Sequence, residues 1–141
     1  MGKRIFRAFL KVQIFLYRLT GGKFMGEIAG LHVLLLSTTG RKTGKPRTTP
    51  LGYFNENGGY VIIASNGGAD KNPGWFHNLR DASSVIVEVG SQRLKVKPEV
   101  ISPDKRAQLW AKLVAMAPGY AGYEHKTSRE IPMILLHPVT S

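Results

Sequence analysis

The chain has 141 residues, 43% of them hydrophobic, and contains no cysteine. That length supports one core of ordinary size and excludes two full domains, while the missing cysteines exclude disulfides, thiolate nucleophiles and zinc–thiolate sites and fit a reducing, cytoplasmic setting. The formal charge of +11 is unevenly spread, because residues 1–47 hold ten Lys/Arg against one Glu and the remainder holds ten against eight acids.

A basic block of this kind calls for an anionic partner: nucleic acid, an anionic membrane surface or an anionic small molecule. No helix-turn-helix, zinc-finger spacing or aromatic-studded RNA-binding signature is present, so nucleic acid is the weakest of the three.

Residues 3–19 have helical periodicity. Arg4, Arg7, Lys11 and Arg18 fall on one side; Ile5, Phe9, Val12, Leu16 and Leu19 fall opposite, flanked by Phe6 and Leu10. The longest uninterrupted apolar run, residues 14–17, is far short of the ~20 residues a bilayer span requires. Two readings stand for the apolar side: a surface laid on anionic lipid or one packed on the core. The spacing predicts an N-terminal amphipathic segment, residues 1–22, followed by a single domain over residues 23–141. After Thr20-Gly21-Gly22-Lys23 ends the helix, a loop through Gly26 and Gly30 leads to a strand over residues 33–39.

Residues 37–50 then form a basic bend between two strands. Gly40 and Gly44 offer backbone freedom and close approach; Arg41, Lys42, Lys45 and Arg47 place four cations within seven residues, and Thr43 adds a hydroxyl. The only acid before Glu56 is Glu27, so the bend reads either as a grip for a phosphate or carboxylate chain or as a solvated hairpin tip.

Residues 48–54 and 60–65 make a hairpin across the turn formers 55–59. The small-residue loop 65–73 follows a strand directly, where backbone amides reach ligands, and residues 73–80 read as a short helix with proline in its first turn. Residues 84–89 and 93–101 pair across Gly90-Ser91, with Leu94, Val96 and Pro98 on one face and Arg93, Lys95 and Lys97 on the other. Ser102 and Pro103 open a helix whose buried face takes Leu109, Trp110, Leu113 and Met116. Residues 131–137 are a final, central apolar strand. About six strands in antiparallel hairpins with three helices give a mainly β, α+β domain closed as a small barrel.

Catalytic signatures are sparse. The four histidines share no metal-ligand spacing, and no Gly-x-Ser-x-Gly, Walker A or Gly-x-Gly-x-x-Gly motif occurs, so an enzyme of this composition borrows its chemistry from a cofactor. Tyr120 and Tyr123, three residues apart, read as a core aromatic pair or as two phenols lining a substrate pocket. Arg129 reads as a ligand anchor or as the partner of Glu130 or Glu124.

Five blocks occur in order: Thr39-Gly40-Arg41-Lys42-Thr43-Gly44 with Pro46-Arg47; Ala64-Ser65-Asn66-Gly67-Gly68; residues 73–79, Pro-Gly-Trp-Phe-His-Asn-Leu; residues 118–123, Pro-Gly-Tyr-Ala-Gly-Tyr; and residues 127–132, Thr-Ser-Arg-Glu-Ile-Pro. Together they resemble the deazaflavin-dependent nitroreductase and quinone reductase family of actinobacteria over residues 31–138. The resemblance implies a split β-barrel related to flavin mononucleotide-binding oxidoreductases, coenzyme F420 as cofactor, and hydride transfer from its reduced form to a quinone, an activated enone or a nitroaromatic. It assigns Arg41, Lys42, Thr43 and Arg47 to the coenzyme's phosphate and oligoglutamate arm, and Ser65, Asn66, Gly67 and Gly68 to the loop beside the ring. Pro50, Trp75, Phe76 and Asn78 become parts of the cradle. Ser65, Tyr120 and Tyr123 become the catalytic donors. Asn66 stands where some relatives have lysine, and Ala117 where some have tyrosine. The N-terminal helix resembles a membrane-associating segment of some members, which implies peripheral contact with the inner face of the cell membrane. A flavin mononucleotide enzyme of the same barrel class and a non-catalytic coenzyme carrier are the alternatives.

Overall fold

The computed structural model describes residues 2–23, 27–28 and 30–139. In chain order the elements are α1 (Gly2–Leu19), β1 (Glu27–Ile28), β2 (Leu31–Thr39), β3 (Pro46–Glu56), β4 (Gly59–Ile63), α2 (Gly74–Arg80), β5 (Val85–Val89), β6 (Gln92–Val100), α3 (Pro103–Met116), α4 (Tyr120–Lys126) and β7 (Met133–Pro138), with a 3-10 turn at Asn66–Gly68. The loop expected through Gly26 lies outside the described residues.

All strand pairs are antiparallel. The sheet order is β1-β2-β3-β4-β7-β6-β5, and a further pairing of β2 with β5 closes strands β2 to β7 into a six-stranded barrel. Local turn chemistry sets two of the hairpins. Between β3 and β4 the register Glu56↔Gly59 leaves a two-residue loop, and Asn57 and Gly58 both take positive φ, +49° and +80°; this is the mirror-image turn whose twist matches flanking strands. β5 and β6 pair from Val89↔Gln92 across Gly90-Ser91.

Closure depends on contacts distant in sequence, such as Leu36↔Val87. The final strand is central, as its apolar run predicts: β7 pairs with both β4 and β6 and buries Met133 to Leu136. One core group lies under α3 and α4 (Phe54, Leu109, Trp110, Leu113, Tyr120, Met133). Another lies within the barrel under α2 (Leu34, Leu36, Ile62, Phe76, Leu79, Val87).

Two expectations for the helices are corrected. Met116 is exposed at the end of α3, where the chain turns off through Ala117, and four helices form among the described residues because Tyr120–Lys126 is its own helical segment. Ser102 does precede α3 with Pro103 at the first helical position, but its side chain makes no capping bond.

The larger finding is how α1 sits. At ~100° per residue, Leu10, Gln13, Ile14 and Tyr17 share an arc, and this arc faces the barrel. Gln13 and Tyr17 are buried, and Ile14 and Tyr17 pack on Val33 and Leu35 of β2. The Tyr17 hydroxyl donates to the Val33 carbonyl at 2.9 Å and accepts from the Gly90 amide at 2.9 Å, tying helix, β2 and the β5–β6 turn together. Arg18 adds a two-pronged ion pair to Glu88 at 2.9 and 2.8 Å. The strip Ile5, Phe9, Val12 and Leu19, together with Phe6 and Phe15, faces outward at 56–69% exposure. The helix thus has two apolar faces, and the one with the cleaner periodicity is left uncovered.

Candidate cofactor cleft

The basic bend is residues 40–45, closed on itself by Gly40 N–H donating to the Lys45 carbonyl and Gly44 N–H to the Gly40 carbonyl, both 2.8 Å. Only Gly44 takes positive φ, +70°. At Gly40 the space is tight: a Cβ there would stand 2.7 Å from Thr43 Oγ1 and would push that side chain aside. The bend is pinned to α2 by the Arg41 amide, which donates to Asn78 Oδ1 at 3.0 Å. Among the described residues, none of Arg41, Lys42, Lys45 and Arg47 pairs with a carboxylate.

Between this bend, α2 and the N-terminal half of α1 lies a cleft of about 450 Å³, in the range of ligand sites. Arg41, Lys42, Thr43 and Arg47 form its charged side; Trp75, Gly74 and Asn78 of α2 form a second wall, and Phe6 and Leu10 of α1 a third. Six of the residues singled out from the sequence therefore come together here. Sequence reasoning missed Thr38 and Thr49, which also line the cleft. A signal was present: with a strand period of two, the buried Leu34 and Leu36 point to Thr38, and the register Leu36↔Thr49 puts Thr49 on the same face.

Thr38 carries the most informative atom in the cleft. It is 5% exposed, and its hydroxyl is the one buried side-chain polar atom without a hydrogen-bond partner among the described residues. A buried orphan hydroxyl costs about 1–3 kcal/mol, so its retention beside unneutralised cations fits a polar, anionic occupant that satisfies it.

The remaining residues lie elsewhere. Phe76 is buried beneath α2, edge-on to Trp75 with ring centres 6.5 Å apart. Pro50 pairs with Leu35 and so shares the sheet face turned toward α1, opposite to that of Thr49; it is outside the cleft lining. Ser65, Asn66, Gly67 and Gly68 form a second grouping with α4, where a Cβ on Gly68 would stand 3.4 Å from the Tyr123 backbone. Tyr120 is a buried core residue whose ring meets Tyr123 edge-on at 5.3 Å. Burial, and secondarily Tyr123, pushes the Tyr120 phenol above its ordinary pKa, so it keeps its proton across the neutral range.

Arg129 organises this second grouping. Its guanidinium donates to the carbonyls of Ala69 (2.8 Å), Ser65 (2.9 Å) and Ala64 (3.2 Å) and to Asn72 Oδ1 (2.7 Å). Four bonds to one loop occupy it, which settles the choice left open by the sequence: it clamps the loop that carries Ser65, and Arg106, not Arg129, approaches Glu130.

The six-stranded antiparallel barrel is the fold of split-barrel oxidoreductases, F420-dependent reductases among them. The profile of the F420H(2)-dependent quinone reductase family matches residues 9–138, and the chain belongs to that family. It is 39% identical over 131 residues, 90% of this chain and 88% of the relative, to the F420H(2)-dependent quinone reductase Rv1261c of Mycobacterium tuberculosis strain H37Rv. Among solved structures it is similar to the F420-H2 dependent reductase FDR-A, with 36% identity, a TM-score of 0.66, and coverage of 74% of this chain and 93% of that one. A chain described as a domain-swapped dimer matches at 30% identity and a TM-score of 0.70, covering 97% of this chain and all of that one. The protein is accordingly an F420-dependent oxidoreductase, and its cofactor is coenzyme F420.

Proposed function

We propose that the chain reduces a quinone with hydride from reduced F420, and that the cleft at residues 38–49 holds the coenzyme's anionic arm. One observation carries this reading: cations without carboxylate partners and the orphan Thr38 hydroxyl line the same cavity. The coenzyme, when bound, supplies the hydride. The chain's residues bind and orient. Arg41, Lys42 and Arg47 give charge-assisted contacts to phosphate and carboxylate, Thr38, Thr43 and Thr49 add hydroxyls, and Asn78 fixes the bend that presents them. Trp75 and Phe6 supply flat apolar surface, with Phe76 supporting Trp75 from below, and Pro50 belongs to the supporting sheet. The loop Ser65, Asn66, Gly67 and Gly68 borders the reacting end. Its Ser65 hydroxyl has no protein partner among the described residues, and with Tyr120 and Tyr123 it offers O–H donors toward an acceptor oxygen that gains charge. Activated enones and nitroaromatics, which are also electron-poor, are secondary acceptors.

The outward strip of α1 is read as a membrane-facing surface. Six large apolar side chains exposed on one helix, with Arg4, Arg7 and Lys11 beside them, match an interfacial helix, and a lipid-soluble quinone is met at such a surface. No described helix is long and apolar enough to cross a membrane. The redox unit, residues 23–141, then works in the cytoplasm against the inner face of the membrane, with residues 1–22 as its contact.

Fluorescence titration with F420, followed by turnover of a short-chain menaquinone analogue, tests the assignment. Arg41→Glu with Lys42→Glu is expected to weaken coenzyme binding by at least about a hundredfold, on roughly tenfold or more per charge-assisted contact. Unchanged affinity would mean that the bend is a solvated hairpin tip.

A further inference from the structure

The basic bend has a second side. Opposite the cofactor cleft, between residues 43–48 and the middle of α1, lies a larger crevice of about 710 Å³. Its floor is apolar: Leu10, Ile14 and Phe15 of α1 face Pro46. Its rim carries Arg7 and Lys11 from the helix and Lys45 and Arg47 from the bend, none paired with a carboxylate among the described residues. Arg18 also lines it, but Arg18 is already matched by Glu88. Phe15 belongs both to this floor and to the outward strip of α1, where it is 62% exposed, so the crevice opens onto the surface read above as membrane-facing.

We infer that this crevice is a binding site for one anionic glycerophospholipid, its phosphate held between Arg7, Lys11 and Lys45 and an acyl chain lying along Leu10, Ile14 and Phe15. The chemistry selects the occupant. Unneutralised cations around a hydrocarbon floor suit a ligand with a negative head and an apolar tail. A neutral quinone tail leaves the charges unmet, and an oligoglutamate arm leaves the apolar floor wet. The inference builds on the membrane-facing reading of α1 but adds a discrete, saturable site to it. Because Leu10, Thr43 and Arg47 line both cavities, a lipid in the crevice sits against the back of the coenzyme grip.

The test uses the full chain and a soluble probe, so that adsorption to a bilayer plays no part. Dihexanoylphosphatidylglycerol, kept below its micelle concentration, is titrated while amide resonances are followed. Saturable shifts are expected at Ile14, Lys45 and Thr48, which line the crevice and not the cofactor cleft, with dihexanoylphosphatidylcholine and inorganic phosphate at least about tenfold weaker. Arg7→Glu with Lys11→Glu changes two exposed side chains and is expected to abolish those shifts while F420 affinity in a fluorescence titration stays unchanged. The charge-neutral Arg7→Gln with Lys11→Gln is expected to fall between. Shifts confined to Ile5, Phe9 and Val12, equal binding of the zwitterionic lipid, or displacement of the lipid by oligo-γ-glutamate at comparable concentration overturns the proposal. If the monomeric lipid fails to bind while anionic vesicles still sediment the chain, the crevice site falls and the membrane-facing helix stands; if vesicles fail too, both fall.

Discussion

Thr38 presents a choice between stability and binding within one side chain. Its hydroxyl is buried without a partner, so Thr38→Val, which keeps the shape and removes the polar atom, is expected to stabilise the apo protein by about 1 kcal/mol, read as a higher urea midpoint. The same change is expected to weaken F420 binding about three- to tenfold, since one hydrogen bond to an anionic group is lost. A hydroxyl with no ligand role gives the first effect without the second. Arg129 is the opposite case, because its hydrogen bonds all serve the protein. Burial lowers its pKa, against a smaller rise from Asp70, yet it remains a cation at neutral pH. Arg129→Lys keeps the charge but cannot span the carbonyls of Ala64, Ser65 and Ala69 at once. A loss of about 2–3 kcal/mol is expected, together with faster amide exchange at Gly68 and Ala69, whose N–H groups close the turn onto Ser65 and Asn66.

At the scale of elements, the buried hydrogen bonds of the joint between α1 and the barrel run through one phenol, with the Arg18–Glu88 ion pair outside it. Tyr17→Phe leaves the Val33 carbonyl and the Gly90 amide without their 2.9 Å partner, and a cost of about 1–3 kcal/mol is expected from chemical denaturation. The same phenol gives the joint a pH dependence. Burial, more than the opposing Gly90 bond or the Glu88 charge, raises its pKa above that of a free tyrosine. The protonated form is therefore favoured in the folded state. The resulting stability is complete below the ordinary tyrosine value of about 10 and is lost as pH climbs through the higher folded value. Tyr53 and Tyr120 are shifted the same way by burial, so the wild type is expected to lose stability steeply above pH ~10 and Tyr17→Phe less steeply. The sequence made much of this scale legible. Asn57-Gly58 and Gly90-Ser91 mark their hairpins by local turn chemistry, and the clustered cations mark the bend. The docking of α1 was hidden, because its buried arc contains Gln13 and Tyr17, and only tertiary partners make those residues acceptable inside. Barrel closure through Leu36↔Val87 and the grouping of Thr38 with Lys42 were hidden for the same reason: each joins strands or faces that no local pattern relates.

For the whole molecule, the question is how a small basic barrel would meet the lipid-soluble quinone proposed as its acceptor. Deleting α1 is the direct test of the membrane contact proposed for it, but Ile14 and Tyr17 cover Val33 and Leu35, and their removal opens a buried apolar surface on β2. The truncated chain is expected to aggregate or bind vesicles nonspecifically, which obscures the answer. Point changes on the outward strip avoid this. Ile5→Asn, Phe9→Asn and Val12→Asn alter side chains already 56–61% exposed, so the thermal midpoint is expected to move by no more than about 2 °C. With each buried side chain worth about 1.5–3 kcal/mol, the triple variant is expected to lose at least about a hundredfold in affinity for anionic vesicles. Turnover of a water-soluble quinone analogue is expected to persist, because none of the three residues lines the cleft proposed for the coenzyme, whereas turnover of a long-chain quinone presented in vesicles is expected to fall. Loss of both activities would place the strip in the chemistry of the site; retention of both, with vesicle binding intact, would mean that the strip meets something other than a membrane.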